Sequence, residues 1–467
     1  MHFAKKTDKN GLNILIVGCG KVGTTLVEQL CNEGHDITVV DTEASRVQAL
    51  AELYDVMGIV GNGASYSTQM DAGIKDADLI IAVTGSDELN LLCCTIARKV
   101  GECAAIARVR NPDYIEDISY LREKLGLTMV INPELEMAKE AARILALPTA
   151  LEVSSFAHGQ AEIIKFKLPG RNILDGIKIA ELGRIITHKN NGVNILIGAI
   201  ERDGEIYIPD GEFKVKQDDV VSVVLPRRYV KEFFEYIGLK TNKVKDTMIV
   251  GGGRAGYYLA KQLLNMGVDV KIIEQNRNRC EELSVLLPDA VIINGDGTDE
   301  ELLKEEGLKY VQSFVPLTGI DEENILLTLH ARHASDAKVI TKINRINFKT
   351  VINSLDLGSV LYPKYITAEA IIAYVRAKKN SMDSNIETLY HLFDQRVEAI
   401  EFRIDEKSAV TDIPLRDLKL KKDLLISFIN RNGKIMLPNG QDSIKVGDTV
   451  MIMTTHKGFR DIMDILL

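Results

Sequence analysis

The stretch NILIVGCGKVG, residues 13–23, decides the fold of the first part of this 467-residue chain. Its uninterrupted apolar run predicts a strand that is covered on both faces, as in a parallel sheet. The G-x-G-x-x-G pattern of Gly18, Gly20 and Gly23 predicts a tight turn into a helix whose N-terminus faces phosphates. The pattern alone is weak evidence, but Asp41 ends the next apolar run eighteen residues later, which is the context that a dinucleotide fingerprint requires.

The same words return after a shift of about 233 positions, so the chain is a duplication. NILIVGCGKVG reappears as TMIVGGGRAG (247–256), and the order of the later matches is preserved. Three of these matches are ITVVD (37–41) with VKIIE (270–274), TGSDELN (84–90) with TGIDEEN (318–324), and AIERDGEIYIPDGEF (199–213) with FINRNGKIMLPNGQD (428–442).

Each repeat has two parts with different patterning. In the first part, short apolar runs alternate with helical stretches, which predicts βαβ units and a doubly wound parallel sheet. The second part has alternating strands and turn dipeptides such as Asp203-Gly204 and Asn432-Gly433, typical of a small α+β domain. Between the parts lies a helix that begins at Pro133 or Pro363, and its apolar face packs either on its own core or on another domain or subunit.

The predicted fold class is therefore α/β, with two tandem Rossmann-like sheets, each followed by a small α+β domain. The predicted boundaries are 12–132 and 245–362 for the Rossmann-like domains, 133–150 and 363–380 for the crossover helices, and 151–237 and 381–467 for the small domains.

Composition excludes several classes of protein. Apolar residues make up 46% and charged residues 26%, which is ordinary for a globular cytosolic protein, and the net charge of −9 argues against nucleic-acid binding. No uncharged apolar run is long enough to span a membrane, and MHFAKKTDKNG lacks a signal core and predicts a short lead-in. The six cysteines form no C-x-x-C pair, and the eight histidines show no ligand spacing, so neither disulfides nor a metal site are expected.

The loops after the first strands predict an adenine nucleotide site. Asp41 suits the hydroxyls of an adenosine ribose and would repel a 2′-phosphate, which favours NAD(H) or an adenine nucleotide over NADP(H). Asn62 and Thr84 follow the third and fourth strands, where small polar residues leave room for a ligand. Arg108 and Arg110 alternate on the fifth strand, and Arg108 faces either a phosphate or an internal carboxylate such as Asp87.

The second repeat predicts a related but altered site. Glu274 stands for Asp41, Asp296 for Asn62, and Lys342 for Arg108. Because a lysine holds a phosphate with less defined geometry than an arginine, this site binds a different nucleotide, binds one more weakly, or binds none.

No catalytic constellation accompanies these sites. A dehydrogenase needs a substrate pocket and an acid or base near the nicotinamide, and no His–Asp pair, nucleophile elbow or Lys–Tyr pair is evident. The leading interpretation is a non-enzymatic regulatory subunit. An NAD-dependent oxidoreductase is the alternative, and a soluble nucleotide or redox sensor is a third, in which Cys19 makes binding thiol-sensitive.

The chain resembles the potassium-transport regulators with tandem RCK (KTN) domains, the TrkA-type peripheral subunits of Trk uptake systems. The resemblance covers the chain from Asn13 onward and rests on words more specific than the glycines. These words are VGCGKVG, ITVVDTE, GNGAS, DAGIKDADLIIAVTGSDELN, ARVRNPDY and INPE. The sequence departs from the common pattern at Asn62, where acidic residues are frequent, and at INPE, which reads YPKY in the second repeat.

The resemblance implies a ring of RCK domains, formed by self-association as a dimer or tetramer, beneath a membrane-embedded TrkH-type potassium channel subunit. It implies a cytoplasmic protein, peripheral at the inner face of the membrane through its partner, that gates the channel in response to NAD(H), with ATP or ADP as further ligands. The pattern does not distinguish which nucleotide activates, or whether the small domains bind an ion or a cyclic dinucleotide. Cofactor contacts are expected from Gly18, Cys19, Gly20, Lys21, Val22, Gly23, Asp41, Asn62, Thr84, Gly85 and Arg108, and from Gly251, Gly252, Gly253, Arg254, Ala255, Gly256, Glu274, Asp296, Thr318, Gly319 and Lys342.

A ligand biases such a ring only if two ring shapes bind it with different affinity. An arginine that meets the phosphates is the hypothesised charge sensor, and Arg108 and Arg110 are the candidates.

Overall fold

The computed structural model describes residues 11–467 except 157–159, 183–194, 240, 242, 345–348, 384 and 394–395. Two six-stranded parallel sheets and two five-stranded antiparallel sheets alternate along the chain. The expected α/β fold, with two Rossmann-like sheets each followed by a smaller antiparallel domain, is confirmed. We refer to residues 12–237 as the first unit and to residues 245–467 as the second unit.

The first parallel sheet has the strand order β3-β2-β1-β4-β5-β6. The order reverses between β1 and β4, so a crevice opens at the carboxyl ends of these two strands, where doubly wound sheets bind ligands. The strands are β1 (Asn13–Val17), β2 (Asp36–Asp41), β3 (Met57–Val60), β4 (Leu79–Ala82), β5 (Ala104–Arg108) and β6 (Met129–Ile131). The helices are α1 (Lys21–Asn32), α2 (Ala44–Tyr54), α3 (Tyr66–Asp71), α4 (Asp87–Val100), α5 (Pro112–Glu116) and α6 (Ile118–Leu125).

Helix α7 (Pro133–Ala146) leads from this sheet into the first small domain. There, Asp203 and Gly204 both have positive φ, at 52° and 82°, as the tight hairpin turn expected from their sequence requires. The sheet order is β10-β9-β11-β8-β7. The elements are β7 (Ala150–Phe156), β8 (Ala161–Lys167), β9 (Leu196–Arg202), β10 (Glu205–Tyr207), β11 (Val220–Pro226) and α8 (Val230–Tyr236).

The second unit repeats the order of the first, with sheets β14-β13-β12-β15-β16-β17 and β18-β19-β22-β20-β21. The parallel strands are β12 (Asp246–Val250), β13 (Asp269–Glu274), β14 (Val291–Asn294), β15 (Ser313–Pro316), β16 (Lys338–Lys342) and β17 (Ser359–Leu361). The helices are α9 (Arg254–Asn265), α10 (Arg277–Leu286), α11 (Glu300–Glu305), α12 (Asp321–Ala334), α13 (Lys349–Ser354) and α14 (Pro363–Asp383). The small domain contains β18 (Ile386–Leu392), β19 (Val397–Arg403), β20 (Leu424–Arg431), β21 (Lys434–Met436) and β22 (Thr449–Thr454).

The two units exchange their crossover helices. The apolar face of α7 lies in the core of the second unit, where Ala141 and Leu145 share a cluster with Leu259 and Leu263 of α9. The face of α14 lies in the core of the first unit, in one cluster with Leu26 and Leu30 of α1. Of the alternatives that the sequence left open, the helices therefore take the one in which they pack on another domain, and packing on the helix's own core was wrong.

Hydrogen bonds and an ion pair between the two units stabilise the exchanged positions of α7 and α14. Arg376 of α14 reaches back to Glu33 of the first unit, with 3.0 Å between its Nε and the carboxylate Oε2. At the other end, the Asn132 amide donates to the Tyr258 hydroxyl at 3.0 Å, and that hydroxyl donates to the Arg110 carbonyl at the same distance. Because both polar systems join residues of different units, each unit restrains the orientation of the other.

The two small domains also pack face to face through their sheets. Phe156 and Tyr390 meet edge to face with 4.3 Å between ring centroids, and Phe428 and Met453 belong to the same buried cluster. Gly198 allows this approach, because a Cβ at its position would lie 2.2 Å from the Met453 sulfur. The duplicated chain therefore closes on itself at two levels, through the exchanged helices and through the small domains.

Two carboxyl groups lie where α7 and α14 contact each other. Burial raises the pKa of Glu140 to about 7, and the nearby carboxylate of Glu152 adds to this effect while Arg143 opposes it. Burial also raises the pKa of Glu369 to about 8, with Glu140 and Glu152 adding to the effect and Arg376 opposing it. Part of each side chain stays accessible, but the packed elements withdraw the carboxyls from water enough to favour their neutral form.

This crossing predicts the pH dependence of stability. The unfolded carboxyls ionise near pH 4.5, whereas the folded ones keep their protons up to about pH 7 and 8, so the free energy of unfolding falls as the pH rises across this range. The double variant Glu140→Gln, Glu369→Gln should flatten this part of the profile. The measurement is urea unfolding between pH 5 and 8.5, with Glu181→Gln, Glu305→Gln as a matched exposed pair. An unchanged slope in the first variant contradicts the assignment.

Candidate nucleotide site

The glycine loop after β1 has the geometry that a phosphate loop needs. Gly18 has φ of +106°, and a Cβ there would lie 2.9 Å from the Thr84 amide nitrogen. A Cβ on Gly23 would lie 1.9 Å from the Gly18 carbonyl oxygen, so this glycine permits the close packing of α1 on the strand. A Cβ on Gly20 would meet nothing within 4 Å, because Gly20 borders an open space at the start of α1.

That space is a cavity of about 530 Å³ at the carboxyl ends of β1 and β4, which we call the first-unit cavity. Nine of the expected cofactor-binding residues line it, namely Gly18, Gly20, Lys21, Val22, Asp41, Asn62, Thr84, Gly85 and Arg108. Cys19 and Gly23 are not among the lining residues. Both are buried in the loop and the helix behind the cavity wall.

Asp41 is held by the backbone. Its Oδ2 accepts a hydrogen bond from the Cys19 amide at 2.7 Å, and its Oδ1 accepts one from the Glu43 amide at 2.9 Å. Each carboxylate oxygen keeps a further lone pair for a ligand hydroxyl. In the second unit, Glu274 accepts from the Gly252 and Asn276 amides at 2.7 and 2.8 Å, so both acidic side chains are oriented in the same way.

Cys19 does not have the properties of a reactive thiol. Its side chain is buried, and burial raises its pKa to about 12, with the Asp41 carboxylate as the next cause. The thiolate is the form that reacts with oxidants and alkylating agents. The geometry therefore gives no support to the interpretation of Cys19 as a redox sensor.

Asn90 is a structural residue of the site that sequence reasoning did not select. Its amide oxygen accepts from the Thr84 backbone N–H at 2.8 Å and from the Thr84 hydroxyl at 2.7 Å, while its amide nitrogen donates to the Arg108 carbonyl at 2.9 Å. It thus ties the ends of β4 and β5 together. Asn324 repeats two of these bonds, accepting from the Thr318 backbone N–H and donating to the Lys342 carbonyl, so its recurrence in the repeated words TGSDELN and TGIDEEN was an available signal.

The two candidate arginines of β5 and the following loop have different surroundings. Arg108 lines the cavity, donates to the Thr84 carbonyl, and keeps a buried Nε without a hydrogen-bond partner. Burial lowers its pKa to about 10, and the neighbouring Arg110 adds to this effect, but the group remains charged at neutral pH. Arg110 does not line the cavity, and its Nε lies 3.5 Å from the carboxylate of Asp87. Of these two arginines, Arg108 is therefore the one that a ligand in the cavity would meet.

Residues at the boundary between the units complete the cavity wall. Pro133 and Glu134 come from the start of α7, whereas Asn344, Pro363 and Lys364 come from the second unit. Sequence reasoning missed them as site residues because they lie far from Gly18 along the chain. The available signal was the difference between INPE and YPKY, which places Glu134 and Lys364 at equivalent points of the two repeats.

The second glycine loop has the same backbone but different side-chain contacts. Gly251 has φ of +105°, and a Cβ on Gly256 would lie 2.2 Å from the Gly251 carbonyl oxygen. Lys342 donates to the Leu317 carbonyl at 3.1 Å, and burial lowers its pKa. Arg279 donates from Nε to the Gly252 carbonyl at 2.8 Å, so it binds the loop itself. Asp296 accepts from the Thr298 amide and hydroxyl at 2.9 and 2.8 Å.

The described part of the chain contains no group of three or more histidine, cysteine or acidic side chains arranged to hold a metal ion. It also contains no helix with the length and apolar character needed to cross a membrane.

Comparison with known families identifies both Rossmann-like domains and the second small domain. The TrkA-N domain family matches residues 14–133 and 247–363, more than half of the chain, and the TrkA-C domain family matches 399–467. The Trk system potassium uptake protein TrkA of Haemophilus influenzae is 30% identical over 449 residues, which cover 96% of each chain. A TrkA homologue of Archaeoglobus fulgidus is 32% identical over 441 residues, covering 94% of this chain and 97% of the relative.

Solved structures share the fold at lower identity. The RCK domain of GsuK aligns with a TM-score of 0.62 at 19% identity, covering 97% of this chain and 93% of that chain. A GsuK channel bound to NAD also aligns with a TM-score of 0.62 and 19% identity, covering 97% and 78%. These alignments show that the two units together have the fold of RCK domains.

The position of Arg108 predicts how affinity depends on ligand charge. Arg108→Ala should weaken ATP binding by about 10- to 100-fold, the loss expected for one charge-assisted hydrogen bond, and should weaken NADH binding less. Isothermal titration calorimetry with both nucleotides measures the difference. Arg122→Ala is the matched control, because this arginine of α6 is exposed and does not line the cavity, and it should change either affinity less than threefold. An equal loss of ATP and NADH affinity in Arg108→Ala contradicts the charge-sensor hypothesis.

Proposed function

This chain belongs to the TrkA family of Trk system potassium uptake proteins, and on that premise we propose that it is a nucleotide-binding regulatory subunit that gates a TrkH-type potassium channel. The observation that carries the proposal is the position of the first-unit cavity. The glycine loop and Asp41 form one wall, while Pro363 and Lys364 of the second unit form another. A ligand at this boundary contacts two bodies whose relative orientation it can influence.

The coupling follows from linkage. A nucleotide shifts an equilibrium between two arrangements of the units only by the difference in its affinity for them. A cavity within one rigid domain would give a small difference, whereas a cavity between two units gives different contacts whenever the units move. The small domains follow directly on α7 and α14, so a reorientation at the cavity is carried to both of them.

The proposed ligands are NAD(H) and, as further ligands, ATP or ADP. Asp41 presents a backbone-held carboxylate to a ribose, and Lys21 and Arg108 bring positive charge to the same cavity for phosphates. The GsuK relative bound to NAD supports this choice by analogy. For the second loop we propose weaker or different binding, because Lys342 takes the place of Arg108 and a lysine holds a phosphate with less defined geometry than an arginine.

The lining of the cavity supports a non-enzymatic role. Among the described residues that line it, none is a histidine, tyrosine or cysteine, and its carboxylate nearest the glycine loop, Asp41, is held by backbone N–H groups. Hydride transfer would also need room for a substrate beside the nicotinamide. The oxidoreductase alternative therefore lacks an observation that favours it.

The proposed setting is the inner face of the cell membrane, reached from the cytoplasm through the channel partner. Self-association as a dimer or tetramer would place several two-unit chains beneath one channel. The net charge of −9 gives no reason to add nucleic acid to the partners.

The test is recovery of the partner from detergent-solubilised membranes of the source cell with the tagged chain, in the absence and presence of NADH or ATP. We expect a multi-span potassium transporter to be recovered, and rubidium flux through that transporter in liposomes to change when chain and nucleotide are both added. Chain without nucleotide, and nucleotide without chain, are the controls. The proposal is contradicted if no membrane protein is recovered under any condition, or if the rubidium flux is the same with and without nucleotide.

A further inference from the structure

Lys364 is the second residue of α14, and it belongs to the second unit in sequence but to the first-unit cavity in space. The exchange of helices brings it there, because α14 packs along α1, the helix that begins at Lys21 beside the glycine loop. The two lysines therefore approach one cavity from different units.

The amino groups of the two lysines are not paired with acidic side chains in the described part of the chain. There, no carboxylate lies within 4.0 Å of the Nζ of Lys21 or Lys364, although Asp41 and Glu134 also line the cavity. The Nζ of Lys364 lies 5.0 Å from the centroid of the Tyr365 ring, a contact that attracts the cation without neutralising it. Burial lowers the pKa of Lys364, the more distant Glu28 opposes this shift, and Lys21 adds to it.

The position of Lys364 on its helix adds to this unbalanced charge. The N-terminus of a helix carries partial positive charge, which favours acidic residues and disfavours basic ones. The first repeat follows that rule with Glu134 at the second position of α7, but the second repeat has lysine at the equivalent position of α14. A lysine at this point is disfavoured by its own helix and by Lys21, and an anion in the cavity would relieve both.

We propose that Lys364 is a specificity-determining residue of the first-unit cavity and contacts the phosphates of its nucleotide from the second unit. This inference rests on the proposed function, since it requires a nucleotide in that cavity. Lys21 and Arg108 meet the phosphates from the first unit, where the other cavity-lining cation, Arg46, is paired with Glu43, and Lys364 adds a positive charge from the second unit. The bound phosphates then hold the start of α14 against α1. Because α14 is followed in the chain by β18, a change in ligand charge at the start of this helix can affect the position of the second small domain.

The arrangement predicts that Lys364 contributes to the affinity for phosphate-containing ligands and not to the affinity for adenosine. Lys364→Gln should weaken ATP, ADP and NADH about 5- to 30-fold, as expected for loss of one charge-assisted contact, while adenosine affinity changes less than twofold. Lys364→Arg keeps the charge and should bind within threefold of the parent. Lys364→Glu should lose more than the glutamine variant. Lys309→Gln makes the same change at an exposed position of the second unit and serves as the matched control.

The experiment is calorimetric titration of the full chain and these variants with the four ligands, after thermal unfolding has been compared. Hydrogen–deuterium exchange of α14 gives a second readout. Nucleotide should slow exchange in the first turns of α14 in the parent and in Lys364→Arg, but not in Lys364→Gln.

The outcomes separate this inference from the proposed function. If Lys364→Gln binds all four ligands as the parent does while Arg108→Ala loses ATP, the role of Lys364 is overturned and the nucleotide site stands. If Lys364→Gln loses adenosine as strongly as ATP, the residue supports the fold of the site and the inference is likewise overturned. If the parent binds no nucleotide, both the inference and the proposed function fail.

Discussion

The rest of the structure depends on the exchange of two helices between the units. Helix α7 belongs to the first repeat in sequence, but its Ala141 and Leu145 are buried in the core of the second, and α14 fills the reciprocal position. Burial of a large apolar side chain such as Leu145 contributes about 1.5–3 kcal/mol, so neither unit can lose contact with the other unit's helix without exposing part of its core. The two units of the duplicated chain are therefore held together by their exchanged helices.

The exchange of α7 and α14 determines where the first-unit cavity lies. In an isolated Rossmann domain, the crevice beyond β1 and β4 would face solvent, whereas here the starts of α7 and α14 close its far side. Glu134 and Lys364 consequently line the cavity beside the glycine loop of the first unit, where we propose that a nucleotide binds. A site assembled from two bodies would link ligand charge to their relative orientation, and that link is the physical basis of the proposed regulatory role.

The sequence predicted the elements whose causes are local. Gly18 and Gly251 need positive φ, and Asp203-Gly204 forms the tight turn that its residues favour. The direction in which the crossover helices pack was not predictable, because an apolar helical face does not specify which of two similar cores it joins. For the same reason Lys364 could not be assigned to the first unit from its place in the chain.

The site residues also fall into those that the sequence predicts and those that only the folded structure identifies. Asp41 was predictable because the fingerprint sets its distance from the glycines along the chain. The sequence did not distinguish Arg108 from Arg110, and only the structure shows that Arg110 is the one that pairs with Asp87. Asn90 escaped notice because its function is to hold two loops together through backbone contacts, which polarity alone does not indicate.

We propose that a nucleotide at the boundary between the units changes how they are oriented. The most direct test is a distance measurement by electron spin resonance between labels at Glu52 and Glu305, exposed positions of the first and second units. Binding is monitored by calorimetry on the same labelled protein. The account predicts that the distance distribution shifts when NADH or ATP saturates the site and returns when the nucleotide is removed. A distribution that stays the same in the saturated protein would contradict it.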